Sequence, residues 1–248
     1  MAKRALSYIF CTRRTLRVGE LRHASAVEEG DTGLDTTAFP KTSIILSTPA
    51  GFVRIDQKSD TVGFVHYTLQ QYFEQNRDKL LPDPQFLLAR VCLTYLSFNI
   101  FSSGPCSDGR ALSHRLQIHC FLDYAARNWG HHVVGSPLLM DLVLTYLGDD
   151  RKLSCSVQVL HLTPKRTSDG QDRFPNQFGP LHVSAYWGLD EVLSLLLTKG
   201  IDINGQDSHG QTALQVAAKR GYKSTVRLLL QNNATMNIEN GNGETALY

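Results

Sequence analysis

The chain has 248 residues, of which 42% are hydrophobic and 19% charged, and its formal net charge is +2. That length suffices for one or two domains with a real core, and the charge is too near zero to mark a polyanion-binding surface by itself. Ordinary globular composition, with 19 glycines and 9 prolines, excludes a disordered tail, a disulfide-rich mini-protein and a membrane protein. The longest apolar stretch, Val91 to Phe101, contains Thr94, Ser97 and Asn99. It falls well short of the ~20 residues of a membrane span. Cys11, Cys92, Cys106, Cys120 and Cys155 form no C-x-x-C pair and read as free thiols of a reducing compartment. Met1-Ala2-Lys3-Arg4 and the short apolar run after it lead to no small-residue cleavage site. The start therefore reads as a domain helix of a cytoplasmic protein.

In chain order, Ala5, Leu6, Ile9 and Phe10 recur at helical spacing, and Thr15-Leu16-Arg17 is a short extended link. Val18 to Val27 predicts a second helix with Leu21 and Ala24 inward, followed by the acidic loop Glu28-Glu29-Gly30-Asp31. A third helix is expected between Thr37 and Ser47, interrupted at Pro40. Phe52 to Asp56 and Thr61 to His66 alternate as a β-hairpin should, and Thr68 to Arg77 is an amphipathic helix with Leu69, Tyr72 and Phe73 on one face. Helix, helix, helix, strand, strand is the plan of a winged helix, here residues 1–80. Residues 81–165 read as a helical connector. Leu87, Val91 and Tyr95, flanked by Leu88, Cys92 and Leu96, form a broad buried stripe, and Phe121, Leu122, Ala125 and Trp129 form another. Pro137 to Leu147 and Leu153 to Leu162 predict two more helices, and Lys165 to Phe174 reads as a loop.

Three stretches of this region resemble the winged-helix segment of fungal-type NACHT–ankyrin proteins of the STAND kind, a segment often labelled after GPI inositol-deacylases. They are Val65 to Phe73, Cys92 to Phe98 and Leu122 to His132. The resemblance implies an upstream NACHT NTPase domain in the full-length protein, with this segment as hinge or lock. This chain has no G-x-x-x-x-G-K-[ST] to cradle phosphates, so nucleotide hydrolysis is not carried over. Nor is deacylation, which needs an activated serine such as G-x-S-x-G. The nearest text, Gly205 to Gly210, has the wrong spacing.

From residue 166 onward the sequence repeats. With a shift of 33, Leu181 falls on Leu214 and Leu247, Ala185 on Ala218, Gly188 on Gly221, Leu195-Leu196-Leu197 on Leu228-Leu229-Leu230, Asn204 on Asn237 and Gly210 on Gly243. A fixed period of that size marks a stacked supersecondary unit. In the second unit Thr212 is placed to cap a short helix bearing Leu214, Ala217 and Ala218, and Gly221 to end it. A second helix should run from Lys223 to Gln231 with Val226, Leu229 and Leu230 inward, and Asn233 stands where the preceding unit has Gly200. The pattern resembles the ankyrin repeat. The first unit, Gly179-Pro180-Leu181-His182-Val183-Ser184-Ala185, lacks the Thr of the T-P-L-H core, and the second, Thr212-Ala213-Leu214-Gln215-Val216-Ala217-Ala218, lacks its Pro and His. The third stops inside its first helix, so that the last unit either frays or continues in a longer product.

The resemblance implies a mainly α, solenoid-type array that binds a protein partner through its hairpin tips and concave first-helix face. The matching positions are Phe178, Tyr186, Trp187, Ser208, His209, Gln211, Lys219, Arg220, Asn242 and Glu244. Tyr186 and Trp187 are either an aromatic hot spot or packing against the preceding helical region. No catalytic constellation, cofactor or metal site is expected. His131 and His132 are adjacent and diverge on a helix, and His114, His119 and Cys120 lack the four-ligand spacing of structural zinc. The leading expectation is therefore a non-catalytic interaction scaffold, the partner-sensing part of a NACHT-type signalling protein without its NTPase. The alternative is a nucleic-acid-associated regulator using the winged helix and the basic cluster Lys3, Arg4, Arg13, Arg14, Arg17 and Arg22. Lys41 alone on the candidate recognition helix argues against that alternative.

Overall fold

A computed structural model describes residues 2–35, 39, 51–162 and 174–247. They divide into two units, one of residues 1–102 with 110–142 and one of residues 103–109 with 143–248. The fold is mainly helical. The helices of residues 81–165 are shared between the units rather than forming one of their own. The helix expected at Thr37 to Ser47 lies outside the described residues.

The first unit opens with α1 (Ala2–Cys11), β1 (Leu16–Arg17) and α2 (Val18–Ala26), followed by β2 (Val53–Asp56) and β3 (Thr61–Phe64). The expected hairpin is there, but the link at Leu16–Arg17 joins it. The sheet has three strands in the order β1-β3-β2, with Leu16 opposite Val62 and Ile55 opposite Val62 from the other side. Alternation buries Leu16, Val53 and Val62 on one face. Then come α3 (Tyr67–Gln75), α4 (Arg77–Leu80), α5 (Pro84–Leu96), α6 (Gly109–Ile118) and α7 (Phe121–Val133). On α3, of the three residues expected on one face, only Phe73 is buried, whereas Tyr72 is 53% exposed.

At the centre of this unit stands α5, packed on α1 and α7, with Leu88 through Leu96 all buried except for Arg90 at half-burial. Both stripes expected of the region are core except at Leu87, which is half-buried, and Trp129 is among the largest side chains fully enclosed. Within this core the basic cluster is partly used up. Arg14 donates two bonds to Glu20, at 2.7 and 2.8 Å, and one to Asp123 at 2.9 Å. Glu20 is buried and also accepts from the Arg17 backbone N–H at the start of α2. Arg4 pairs with Glu28 and reaches the Val27 carbonyl. Arg22 lies over the Phe39 ring.

The second unit contains α8 (Met140–Leu147) from Val143 onward, α9 (Asp150–Leu160), and two helical pairs, α10 (Pro180–Trp187) with α11 (Asp190–Thr198) and α12 (Ala213–Arg220) with α13 (Lys223–Gln231). Gln158 on α9 holds the backbone N–H and carbonyl of Cys106, both at 2.8 Å, which ties the short stretch 103–109 to this unit. Pro137 to Leu139 is a 3-10 turn rather than the start of an α-helix.

Why the pairs form where they do can be read from their ends. Thr212 Oγ1 accepts from the Gln215 backbone N–H, and Gln215 Oε1 accepts in return from the Thr212 N–H at 2.8 Å. That is a capping box. Gly221 ends α12 with φ of +77°. Gly188 ends α10 with φ of +68°, and a Cβ there would stand 2.7 Å from the Tyr222 ring, so the close approach of successive pairs depends on it. Leu181, Ala185, Leu214, Ala217 and the middle leucine of each triplet, Leu196 and Leu229, fill the space between helices. Leu230, expected inward, is 37% exposed, because no described helix packs beyond α13. Ala246 and Leu247 form a turn, and Thr245 to Leu247 contain no helix.

Candidate partner-binding groove

Two stripes at i, i+4, i+8 run down the first helix of each pair. They are Phe178, His182 and Tyr186 on α10 and its approach, and Gln211, Gln215 and Lys219 on α12 and its approach. Equivalent members are 33 residues apart. The hairpin tips beside them are fixed by bonds that also recur at that spacing. The Ser208 N–H donates to the Asn176 carbonyl at 2.8 Å, and the Gly241 N–H donates to the His209 carbonyl at 2.7 Å. Asp207 Oδ1 accepts from the N–H groups of His209 and Gln211, and Asn240 Oδ1 accepts from those of Asn242 and Glu244.

His182 and Gln215 occupy one position of the period and serve one purpose. His182 Nε2 meets the Gln211 carbonyl at 2.9 Å, and Gln215 Nε2 donates to the Glu244 carbonyl at 2.8 Å and to the Ile238 carbonyl at 2.9 Å. The second unit therefore loses its His without losing the bond from first helix to next tip. Burial lowers the His182 pKa, which keeps the ring neutral.

Stripes and tips together bound a groove of about 780 Å³, within the usual size of a ligand cleft. Of the residues expected at the partner face, Phe178, Tyr186, Ser208, His209, Gln211, Lys219, Arg220 and Asn242 line it. Phe178 is 5% exposed and forms part of the floor, edge-on to Tyr186 at 6.4 Å. Ser208 is partly used, because its hydroxyl accepts from the Asn176 N–H. Glu244 lies instead in an adjoining recess of about 330 Å³ with Lys219 and Thr245 to Leu247. Its Oε2 accepts from Asn240 Nδ2 at 2.8 Å.

Trp187 is the correction. It is 3% exposed and turns into the unit, edge-on to Tyr186 at 4.9 Å, so it is core and not contact surface. One period on, Arg220 instead is exposed, its guanidinium carbon 4.2 Å from the Tyr186 ring centre. Burying the indole removes a large apolar area from water, and the same position in the next unit has a side chain whose charge prevents that.

Sequence reasoning missed His161, Pro175, Val216, Asn240 and Gly241, which also line the groove. Asn240 was legible as the period-mate of Asp207. His161 was not, because α9 falls outside the 33-residue register. Its ring packs on Phe178 at 5.0 Å and Tyr186 at 6.0 Å, so α9 supplies the cover that the first pair needs on its open side.

Among the described residues no group of three or more His, Cys, Asp or Glu could hold a metal ion. Burial pushes the Cys120 thiol up to about 11 and Cys11 up to about 12, which leaves neither as a thiolate near neutral pH. Among the described residues no helix is long and apolar enough to cross a membrane.

Residues 152–240 match the family model for ankyrin repeats, in three copies. The match begins inside α9, earlier than the boundary at residue 166 expected from the period. Rabankyrin-5 of Homo sapiens and Rabankyrin-5 of Mus musculus are each 37% identical to this chain over 54 residues. That stretch is 22% of this chain and 5% of either relative. The C-terminal unit thus carries ankyrin repeats, and such repeats indicate a protein–protein interaction scaffold.

Proposed function

We propose that the chain is a non-catalytic, cytoplasmic scaffold whose groove senses a protein partner, acting as the regulatory part of a NACHT-type signalling protein. The observation that carries the partner site is the convergence of Tyr186, His209, Lys219, Arg220 and Asn242 on one groove whose walls are fixed by recurring tip-to-tip bonds. A preorganised surface loses little conformational freedom on binding. None of the five cysteines is joined in a disulfide, which supports a reducing compartment. The three-stranded sheet on α1 and α2 supports the winged-helix reading of the first unit, with β1 beside β3.

The test compares affinity capture by the intact chain and by a Y186A/K219A/R220A variant. All three side chains are at least partly exposed, so the variant should keep its circular dichroism spectrum and melting profile. Loss of the captured protein is expected. Unchanged capture overturns the groove assignment. The NACHT connection is tested separately by reading the transcript through both ends of this coding region. An in-frame P-loop upstream is expected, and a transcript without one removes that part of the proposal.

The basic cluster offers less to a nucleic acid than its sequence suggested, because Arg4 and Arg14 are engaged by Glu28, Glu20 and Asp123. Phosphate neutralisation needs several available cations. A salt titration of duplex DNA binding decides the point. Salt-dependent binding at low ionic strength would favour the nucleic-acid reading over the scaffold.

A further inference from the structure

The groove is charged on one side only. Lys219 and Arg220 stand exposed in the last turn of α12, on its wall. Among the described residues neither has a carboxylate within ion-pair distance, and no Asp or Glu lines the groove. The nearby acid Glu244 sits in the adjoining recess, held by Asn240. Arg220 is also held in place. Its guanidinium carbon lies 4.2 Å from the Tyr186 ring centre, and that cation–π contact holds the exposed fork at the groove wall. A fork so presented suits a carboxylate, which it can bond through two parallel N–H···O contacts. Behind it the floor is apolar, made by Phe178 and Tyr186.

Resting on the reading that this groove is the partner-binding face, we propose that it takes an extended acidic peptide segment. One Asp or Glu carboxylate is bonded by Arg220, a second is paired with Lys219, and an apolar neighbour rests on Tyr186 and Phe178. Two cations on an aromatic floor fit a peptide better than a nucleic acid, which needs a longer run of positive charge.

Fluorescence anisotropy on the intact chain tests this with three labelled peptides of equal length. One is rich in Asp and Glu around a single Leu, the second is its Asn/Gln analogue, and the third is rich in Lys. The acidic peptide should bind best, and less well as salt shortens the range of the charges. K219E/R220E should weaken it by roughly tenfold or more, as two attractive pairs become repulsive, and should let the Lys-rich peptide bind. R220K should weaken it while K219R does not, since only the fork is bidentate. Equal binding of the acidic and amide peptides, or no response to K219E/R220E, overturns the proposal. So does a labelled oligonucleotide that binds through Lys219 and Arg220 when the acidic peptide does not. Panning a random-peptide phage library on the intact chain and on Y186A/R220A separates the two levels. Groove-dependent peptides without carboxylates overturn the charge preference and leave the partner site standing. An absence of groove-dependent peptides removes both.

Discussion

In the repeat unit several polar contacts made once are made again 33 residues later, whereas the buried polar chain of the first unit has no such counterpart. Ser208 to Asn176 recurs as Gly241 to His209, and the bond of His182 recurs as that of Gln215. In the first unit the Arg13 N–H donates to the Tyr124 hydroxyl, which meets His132 Nε2 at 2.9 Å, and His132 Nδ1 faces Gln85 Oε1. That chain joins three sequence-distant segments, and no second copy of it occurs among the described residues. A repeated bond tolerates substitution, because any side chain that reaches the same carbonyl will do. A unique network binds each member to its neighbours, and removing one leaves the others buried without partners.

The largest expected effect lies in the unique core. Trp129→Ala should cost about 3–5 kcal/mol, since the cavity left by a fully enclosed indole closes only in part. Urea denaturation measures it, and a loss below about 1 kcal/mol would mean that this core is looser than its burial implies.

Next comes pH. Burial holds the His132 ring down at about 4, against 6.5 for an unperturbed histidine. Between those values the unfolded chain binds a proton that the folded chain does not. Stability is therefore full above about pH 6.5 and falls as pH drops toward 4, by about 3 kcal/mol from this residue. His23, half-buried against Tyr95 and held down at about 4, adds in the same direction. Denaturation midpoints from pH 7 to 4.5 should show the slope, and His132→Gln should flatten it in part. An unchanged slope would break the contrast, because it would mean the network is open to water.

The sharpest comparison is at Gln215. Gln215→Ala removes the reach to Ile238 and Glu244 and half of the capping box, and should cost about 1–2 kcal/mol. Gln215→His should cost less than half as much, since His182 makes the same bond one unit earlier. If histidine is as damaging as alanine there, the two positions are not equivalent. The smallest effect is at Asn233, whose φ is +66°. Asn233→Gly should be neutral within a few tenths of a kcal/mol, as the Gly200 of the preceding unit already shows for the same turn.

Much of the repeat unit was legible because its determinants are local. The cap at Thr212, the turn at Gly221 and the limits of α13 all follow from residues a few positions apart, and the resemblance to ankyrin repeats then implied a shared face for Phe178, Tyr186, Gln211 and Lys219. The buried stripes at Val91 and Trp129 were legible for the same reason. What lay beyond the sequence involves partners far along the chain. Leu16 becomes a strand residue only because Val62 lies opposite it. Trp187 turns inward while its period-mate Arg220 turns outward. Leu230 stays exposed although Leu229 beside it is buried. His161, just past the end of α9, lines the groove from outside the 33-residue register. The sequence by itself determined the helices, the repeat and the face they present, since each depends on hydrogen bonds and apolar spacing within one or two turns. Only the tertiary structure decided which residues of that face meet solvent, because burial depends on the element packed opposite, and no local pattern encodes that neighbour.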